Sequence, residues 1–225
     1  MSFIGHLNFT YPQAYEDEPS SDVVFDRDRV NRPTMIHDAR ECFGTAAELK
    51  ESIGLLTSGL GFKLFKSESQ VLDWQDVKQV ASIHYSECRE LAESLLPGAR
   101  ILAIESHTFR DEDQKEHHYV DGIQYGPPAL AVHNDYADSL SEDGSSVTKS
   151  FVDIIGLPRG KRIIGLNIWR SVSSNPLERF PLAVCDRTSI DPGDLEYKLN
   201  VNAPVPFNAH YCKPNDDQRW YYYPK

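Results

Sequence analysis

Two side chains in the run Ala131-Val132-His133-Asn134-Asp135-Tyr136 have the types and the spacing to bind a metal. Alternate residues of a β-strand point to the same side, so His133 and Asp135 can direct an imidazole nitrogen and a carboxylate oxygen to one point. That pair is two thirds of a 2-His-1-carboxylate facial triad, a donor set that leaves positions on Fe(II) open for substrate and oxygen. His-x-Asp arises often by chance, and without context a surface or structural role is the simpler reading. The context is an apolar run, Ala129 to Val132, leading into the pair, and an acidic loop, Asp138 to Ser146, following it, as expected where a strand reaches the mouth of a barrel. A second expected strand, Arg162 to Arg170, places Ile163, Gly165, Asn167 and Trp169 on one face. Asn167 stands there among apolar neighbours and, if buried, must bond to the protein or to a ligand.

Other residues compete for chemical roles. Arg110 and Arg170 can each hold a carboxylate through two parallel hydrogen bonds, although pairing with the chain's many acids is the plainer use. His84 falls in an apolar helical stripe and reads as a hydrogen-bonded core histidine. His117 and His118 are adjacent in a charged loop, so their rings point apart and read as solvated. Cys42, Cys88, Cys185 and Cys212 include no C-x-x-C pair, which points to reduced, mostly packed thiols in a cytosolic setting. The aromatic tail Trp220 to Tyr223 reads as a strand packed on both faces.

Composition limits the functions these residues can serve. With 225 residues the chain is long enough for one domain with an extension, and no repeat period is visible. It carries 23 Lys and Arg against 34 Asp and Glu, a net charge of −11, which argues against a generic nucleic-acid or anionic-membrane partner. No apolar run approaches the roughly 20 residues of a membrane helix. The N-terminus has no basic region followed by an apolar stretch, so the expected compartment is the cytoplasm.

The elements that must position the site follow from periodicity. Residues 1–34 carry Pro12, Pro19 and Pro33 and read as an irregular N-terminal arm. Thr45 to Glu48 has the form of a capping box ahead of Leu49, Ile53 and Leu56, predicting a helix that stops at Gly59, and Gly61 to Lys66 reads as a short strand. The spacing of Val77, Val80, Ala81, His84, Cys88, Leu91, Ala92 and Leu95 predicts a long helix from a cap at Asp73 to Leu96, before Pro97-Gly98. After residue 99 short strand-like runs take over: Arg100 to Arg110, Ala129 to Asn134, Arg162 to Arg170, Pro181 to Asp186 and Arg219 to Tyr223. Helices first and strands later predict an α+β fold with an antiparallel sandwich or barrel. No G-x-G-x-x-G or Walker loop is present to support a dinucleotide or nucleotide fold.

From residue 35 to 225 the chain resembles the fungal and bacterial non-haem iron hydroxylases and desaturases, the family of the gibberellin desaturase and the cephamycin 7-hydroxylase component. The matching stretches stand in order: Asp73-Trp74-Gln75-Asp76-Val77, Ser106-His107-Thr108-Phe109-Arg110, His133-Asn134-Asp135-Tyr136, Asn167-Ile168-Trp169-Arg170, Pro181 to Asp186, and Arg219-Trp220-Tyr221-Tyr222-Tyr223-Pro224. The resemblance implies a double-stranded β-helix, or jelly roll, of the Fe(II)/2-oxoglutarate oxygenase type flanked by N-terminal helices, with His133 and Asp135 as iron ligands and catalytic residues. It implies a small organic metabolite as substrate, O2 and 2-oxoglutarate as cosubstrates, and hydroxylation or desaturation as outcome. Asn167, Trp169, Arg170 and Arg110 are the expected cofactor-binding residues. A homodimer is left open, and neither nucleic acid nor membrane is expected as a partner.

In that family the second metal histidine and the arginine for the distal carboxylate of 2-oxoglutarate follow the Arg-Trp-Tyr-Tyr-Tyr-Pro segment, so both are expected beyond Lys225, and residues 35–225 are expected to lack the last strands of the domain. His210 is the internal alternative as third ligand, being the only histidine downstream of Asp135. The rival reading is a non-catalytic jelly-roll module that binds a small molecule or a partner chain and has lost its iron site. Retention of His133 and Asp135 together argues against it.

Overall fold

The computed structural model describes residues 2–10, 29–44, 59–101, 107–135, 164–175, 177–200 and 207–224. The chain divides into two compact units: the first holds Met1–His37, Leu130–Gly165 and Cys185–Tyr221, the second Asp38–Ala129, Leu166–Val184 and Tyr222–Lys225. The expected helix from Thr45 to Leu56 and the acidic loop from Asp138 to Ser146 lie outside the described residues.

The expectation of an irregular arm is corrected at both of its described stretches. Strand β1 (Phe3–Thr10) pairs antiparallel with β2 (Arg29–Asp38), in register from Phe3 opposite Ile36 to Thr10 opposite Arg29. Pro33 stands within β2 opposite His6 and gives the ladder no N–H, yet the pairs on either side carry the strand across it. The period of two is visible in burial: Ile4 and Met35, paired with each other, are exposed, whereas Phe9 and Ile36 are almost fully buried. Gly5 belongs to this packing, since a Cβ there would stand 2.5 Å from the Ile36 Cδ1 atom.

Two strands therefore precede the first described helix, α1 (Ala39–Phe43), whose N-cap Asp38 accepts from the Arg40 N–H at 2.9 Å. The long predicted helix is present in three consecutive parts: α2 (Val77–Gln79), a π-helical stretch (Val80–His84) and α3 (Tyr85–Leu95). Its cap is Asp76, not Asp73: the Asp76 carboxylate accepts from the N–H groups of Lys78 and Gln79 at 3.0 and 3.2 Å, while Asp73 accepts from Gln75 N–H in the preceding turn. Val80, Cys88, Ala92 and Leu95 form the buried stripe the spacing predicts.

Later strands are shorter than expected. They are β3 (Thr108–Arg110), β4 (His118–Val120), β5 (Ile123–Gly126), β6 (His133–Asn134), β7 (Ala183–Cys185), β8 (Leu195–Asn200), β9 (Phe207–Cys212) and β10 (Trp220–Tyr222). The sheet orders are β1-β2-β10-β7, β3-β5-β4 and β6-β9-β8. β3 runs parallel to β5, an exception to the antiparallel expectation, and β4 and β5 form an antiparallel hairpin. The hairpin turns at Asp121 and Gly122, both with positive φ (50° and 81°), a conformation that Asp-Gly favours.

Gly61 to Lys66 and the described part of the run from Arg162 to Arg170 lie outside any strand, which corrects both expectations. Phe62 instead packs edge-on against Phe43 and Tyr223, so its apolar surface is covered without a ladder. In the segment after Gly165, Asn167 is exposed and Trp169 keeps half of its surface in solvent, so neither occupies the inner face of a strand. In the first unit the core gathers Phe9, Ile36, Ala209, Cys212 and Trp220, with the Phe9 and Trp220 rings edge to face at 5.9 Å. No helix among the described residues is long and apolar enough to cross a membrane.

Candidate metal centre

His133 opens β6, and the chain before it is tied to β1 by a single parallel bridge between Asn8 and Ala131. The imidazole Nδ1 lies 2.7 Å from the Ala131 carbonyl oxygen. A carbonyl can only accept, so Nδ1 carries the proton and Nε2 is the nitrogen that bears the lone pair when the ring is neutral. His133 Nε2 stands 3.3 Å from Asp135 Oδ1, so the same-side geometry expected from the spacing is present. Two donors each about 2.1 Å from a metal and at right angles to it would be about 3 Å apart, so the observed separation suits adjacent ligands. Both side chains are partly exposed, 31 % for His133 and 43 % for Asp135, which leaves the site open to solute.

β6 pairs with β9 so that His133 faces Tyr211 and Asn134 faces His210. Residues directly opposite in a ladder share a face, so Tyr211 lies on the His133 side, and the two rings are 6.2 Å apart and tilted by 33°. His210 points to the other face, where it is only 3 % exposed. The internal alternative for a third ligand is thereby removed from the His133 side. Among the described residues no group of three His, Cys, Asp or Glu side chains converges as a metal site.

Arg110, Asn167, Trp169 and Arg170 belong to the second unit. Arg170 is already engaged: Nη1 donates to the Ser67 carbonyl at 2.7 Å, Nη2 to the Ser67 hydroxyl at 3.0 Å, and the guanidinium sits over the Trp74 ring at 5.7 Å. Arg110 is exposed and its Nη1 donates to the Pro127 carbonyl at 3.1 Å.

The same unit holds a polar network in which sequence reasoning found His84 but not Glu87. The Glu87 carboxylate accepts from Ser69 Oγ and the Gln70 N–H, both at 2.7 Å, and from His84 Nδ1 at 3.1 Å. His84 Nε2 lies 3.4 Å from Cys88 Sγ, so both ring nitrogens of His84 are used, as expected for a core histidine. Burial works to raise the Glu87 carboxyl, but these hydrogen bonds outweigh it and hold the group below its ordinary value. Burial pushes the Cys88 thiol up and His107 down. Helical spacing gives no sign of this role for Glu87, because its partners Ser69 and Gln70 come from a segment that has no periodicity. His118, expected to be solvated, is exposed but stacks on Tyr125 at 5.4 Å.

Comparison with known proteins adds three findings. Residues 6–225 match the family described as YDMC, oxidoreductase/YMDC permease-like domain. The chain is similar to the hydroxylase/desaturase efuI of Hormonema carpetanum, 24 % identical over 212 residues that cover 85 % of this chain and 66 % of that protein. It thus spans just under two thirds of the relative's length. Among solved structures it is similar to the iron and alpha-ketoglutarate-dependent endoperoxidase NvfI with a TM-score of 0.60 and 16 % identity, over 100 % of this chain and 80 % of that one, a likeness of fold.

Proposed function

The chain belongs to the YDMC oxidoreductase/YMDC permease-like family, and on that premise we propose that it is a non-haem Fe(II)- and 2-oxoglutarate-dependent oxygenase that hydroxylates or desaturates a small organic metabolite. The observation that carries this reading is the state of His133: its Nδ1–H is tied to a backbone carbonyl and its Nε2 faces Asp135. Metal-binding histidines almost always donate their second ring N–H in this way, which sets the tautomer and the ring plane. The fold similarity to an iron and alpha-ketoglutarate-dependent enzyme supports a double-stranded β-helix.

The residues present suit the metal. His133 Nε2 would supply a neutral donor and the Asp135 carboxylate an anionic one that lowers the charge of a divalent ion. When bound, iron with 2-oxoglutarate and O2 would supply oxidation of a C–H bond, the cosubstrate leaving as succinate and CO2. The protein's own work is positional. Ala131 holds the imidazole plane, Tyr211 lies beside that ring, and the exposed flanks of His133 and Asp135 admit small molecules. Asn167 and Trp169 are proposed to contact cosubstrate, and Arg110 and Arg170 are the proposed carboxylate anchors, of which Arg170 is the more constrained by Ser67 and Trp74. A cytosolic location is proposed on the four free cysteines.

Anaerobic titration of the protein with Fe(II) and then 2-oxoglutarate tests the proposal through the visible charge-transfer band of the chelated pair. The expected result is a band that His133→Ala and Asp135→Ala abolish. A protein that binds neither would return the chain to the binding-module reading.

A further inference from the structure

A chain of side-chain hydrogen bonds on β1 and β2 ends at the backbone that orients His133, and its direction is dictated from that end. The Leu130 carbonyl can only accept, so Asn8 turns its Nδ2 toward it, at 3.2 Å. Asn8 Oδ1 therefore faces Asn31 and accepts from its Nδ2 at 2.9 Å. Asn31 Oδ1 is left facing His6, whose Nδ1–H must donate, at 2.8 Å. Asn8 also acts through its main chain, its carbonyl accepting the Val132 N–H at 2.9 Å.

The Val132 N–H and the Ala131 carbonyl belong to one planar peptide group and point in opposite directions. Gripping that N–H from Asn8 therefore aims the Ala131 carbonyl, which takes the His133 Nδ1–H at 2.7 Å. The side chain of Asn8 holds the preceding peptide plane through Leu130. One residue thus clamps two consecutive peptides, where the ladder contact is an isolated bridge between Asn8 and Ala131 with no neighbouring pair among the described residues. We infer that Asn8, braced by Asn31 and His6, is a positioning residue that fixes the tautomer and ring plane of His133 for metal binding. The inference rests on the proposal that His133 is a ligand.

The test is Asn8→Asp, which keeps the size and the acceptor for Asn31 but removes the donor to Leu130. In the metal-free protein at a pH where His133 is neutral, imidazole 15N shifts should move from the Nδ1–H toward the Nε2–H tautomer, the form free imidazole side chains prefer. Anaerobic titration with Fe(II) should show affinity reduced about tenfold, the low end for groups that act on a ligand from outside the coordination sphere. Asn31→Ala should shift His133 in the same direction by less, because it leaves the bond from Asn8 to Leu130 in place, and this milder variant carries the test if Asn8→Asp does not fold. An unchanged His133 tautomer in the folded variants would overturn the inference. A shifted tautomer in variants of a protein that binds no iron would uphold the role of Asn8 while sinking the metal assignment, so the two failures are distinct.

Discussion

His133 and Asp135 share the burden of the proposed site with little involvement in stability. Exposed ion pairs contribute about 0–1 kcal/mol, and both side chains are substantially in solvent. His133→Ala and Asp135→Ala should each abolish iron-dependent succinate formation while moving the melting temperature by no more than a few degrees. Asp135→Glu should fail as well, since one methylene displaces the carboxylate by about 1 Å from a constrained point. Asn167 is exposed rather than turned into a strand face, and Asn167→Ala should raise the 2-oxoglutarate or substrate requirement more than it lowers the melting temperature. Asp186 is the opposite case. Its side chain is 3 % exposed, and burial raises its carboxyl, but hydrogen bonds from the Thr188 hydroxyl and Arg219 Nη2, both at 2.7 Å, prevail and hold it below the ordinary carboxylate value. A depressed folded value means the stabilisation is complete above the unfolded value of about 3.9 and is lost as pH falls through the folded one. Thermal melts should therefore weaken below about pH 4, and Asp186→Asn should cost about 1–3 kcal/mol near neutrality while flattening that acid slope.

At the scale of elements, the entry of the long helix and the clasp on its middle are the informative features. If Asp76 caps it, Asp76→Ala should lose about 1 kcal/mol in denaturant unfolding. Asp73→Ala removes only a turn bond from the Gln75 N–H and should lose about 0.5 kcal/mol. Equal losses would show that the helix starts earlier than the hydrogen bonds indicate. Glu87 fastens residues 69–70 to α3 and orients His84, so Glu87→Gln weakens three charge-assisted bonds in one step. The π-helical stretch directly precedes this clasp. The β4–β5 hairpin depends on Asp121 and Gly122 with positive φ, and Gly122→Ala would be strained there although nothing stands within 4 Å of a Cβ at that position.

For the whole molecule, thiol chemistry reports on both units at once. Of the four cysteines only Cys42 is exposed. Burial raises Cys88, pushes Cys185 up to about 11 and Cys212 up to about 12, so these three stay protonated at neutral pH. A thiol reagent at neutral pH should label one cysteine rapidly and the other three only as the protein unfolds. Rapid labelling of two or more in the folded state would contradict the packing of Cys185 and Cys212.

Local periodicity settled what depends on neighbours in the chain: that His133 and Asp135 share a side, that residues 77–95 form a helix with one buried stripe, and that His84 is hydrogen-bonded. Asp121-Gly122 was an equally local signal, legible as a hairpin and passed over among the charged residues around it. What only tertiary structure decided involves partners remote in sequence. Prolines suggested an irregular arm, yet the ladder between β1 and β2 carries Pro33, because the pairs around it outweigh one missing donor. The Arg162 to Arg170 run alternates like a strand, but its described residues belong to no strand, and alternation along the chain does not by itself make a sheet. His210 was a ligand candidate until the register against β6 turned it to the opposite face. The peptide whose carbonyl meets the His133 Nδ1–H is gripped from β1, the Val132 N–H donating to the Asn8 carbonyl, and no pattern along the chain encodes a contact that exists only once the strands are side by side.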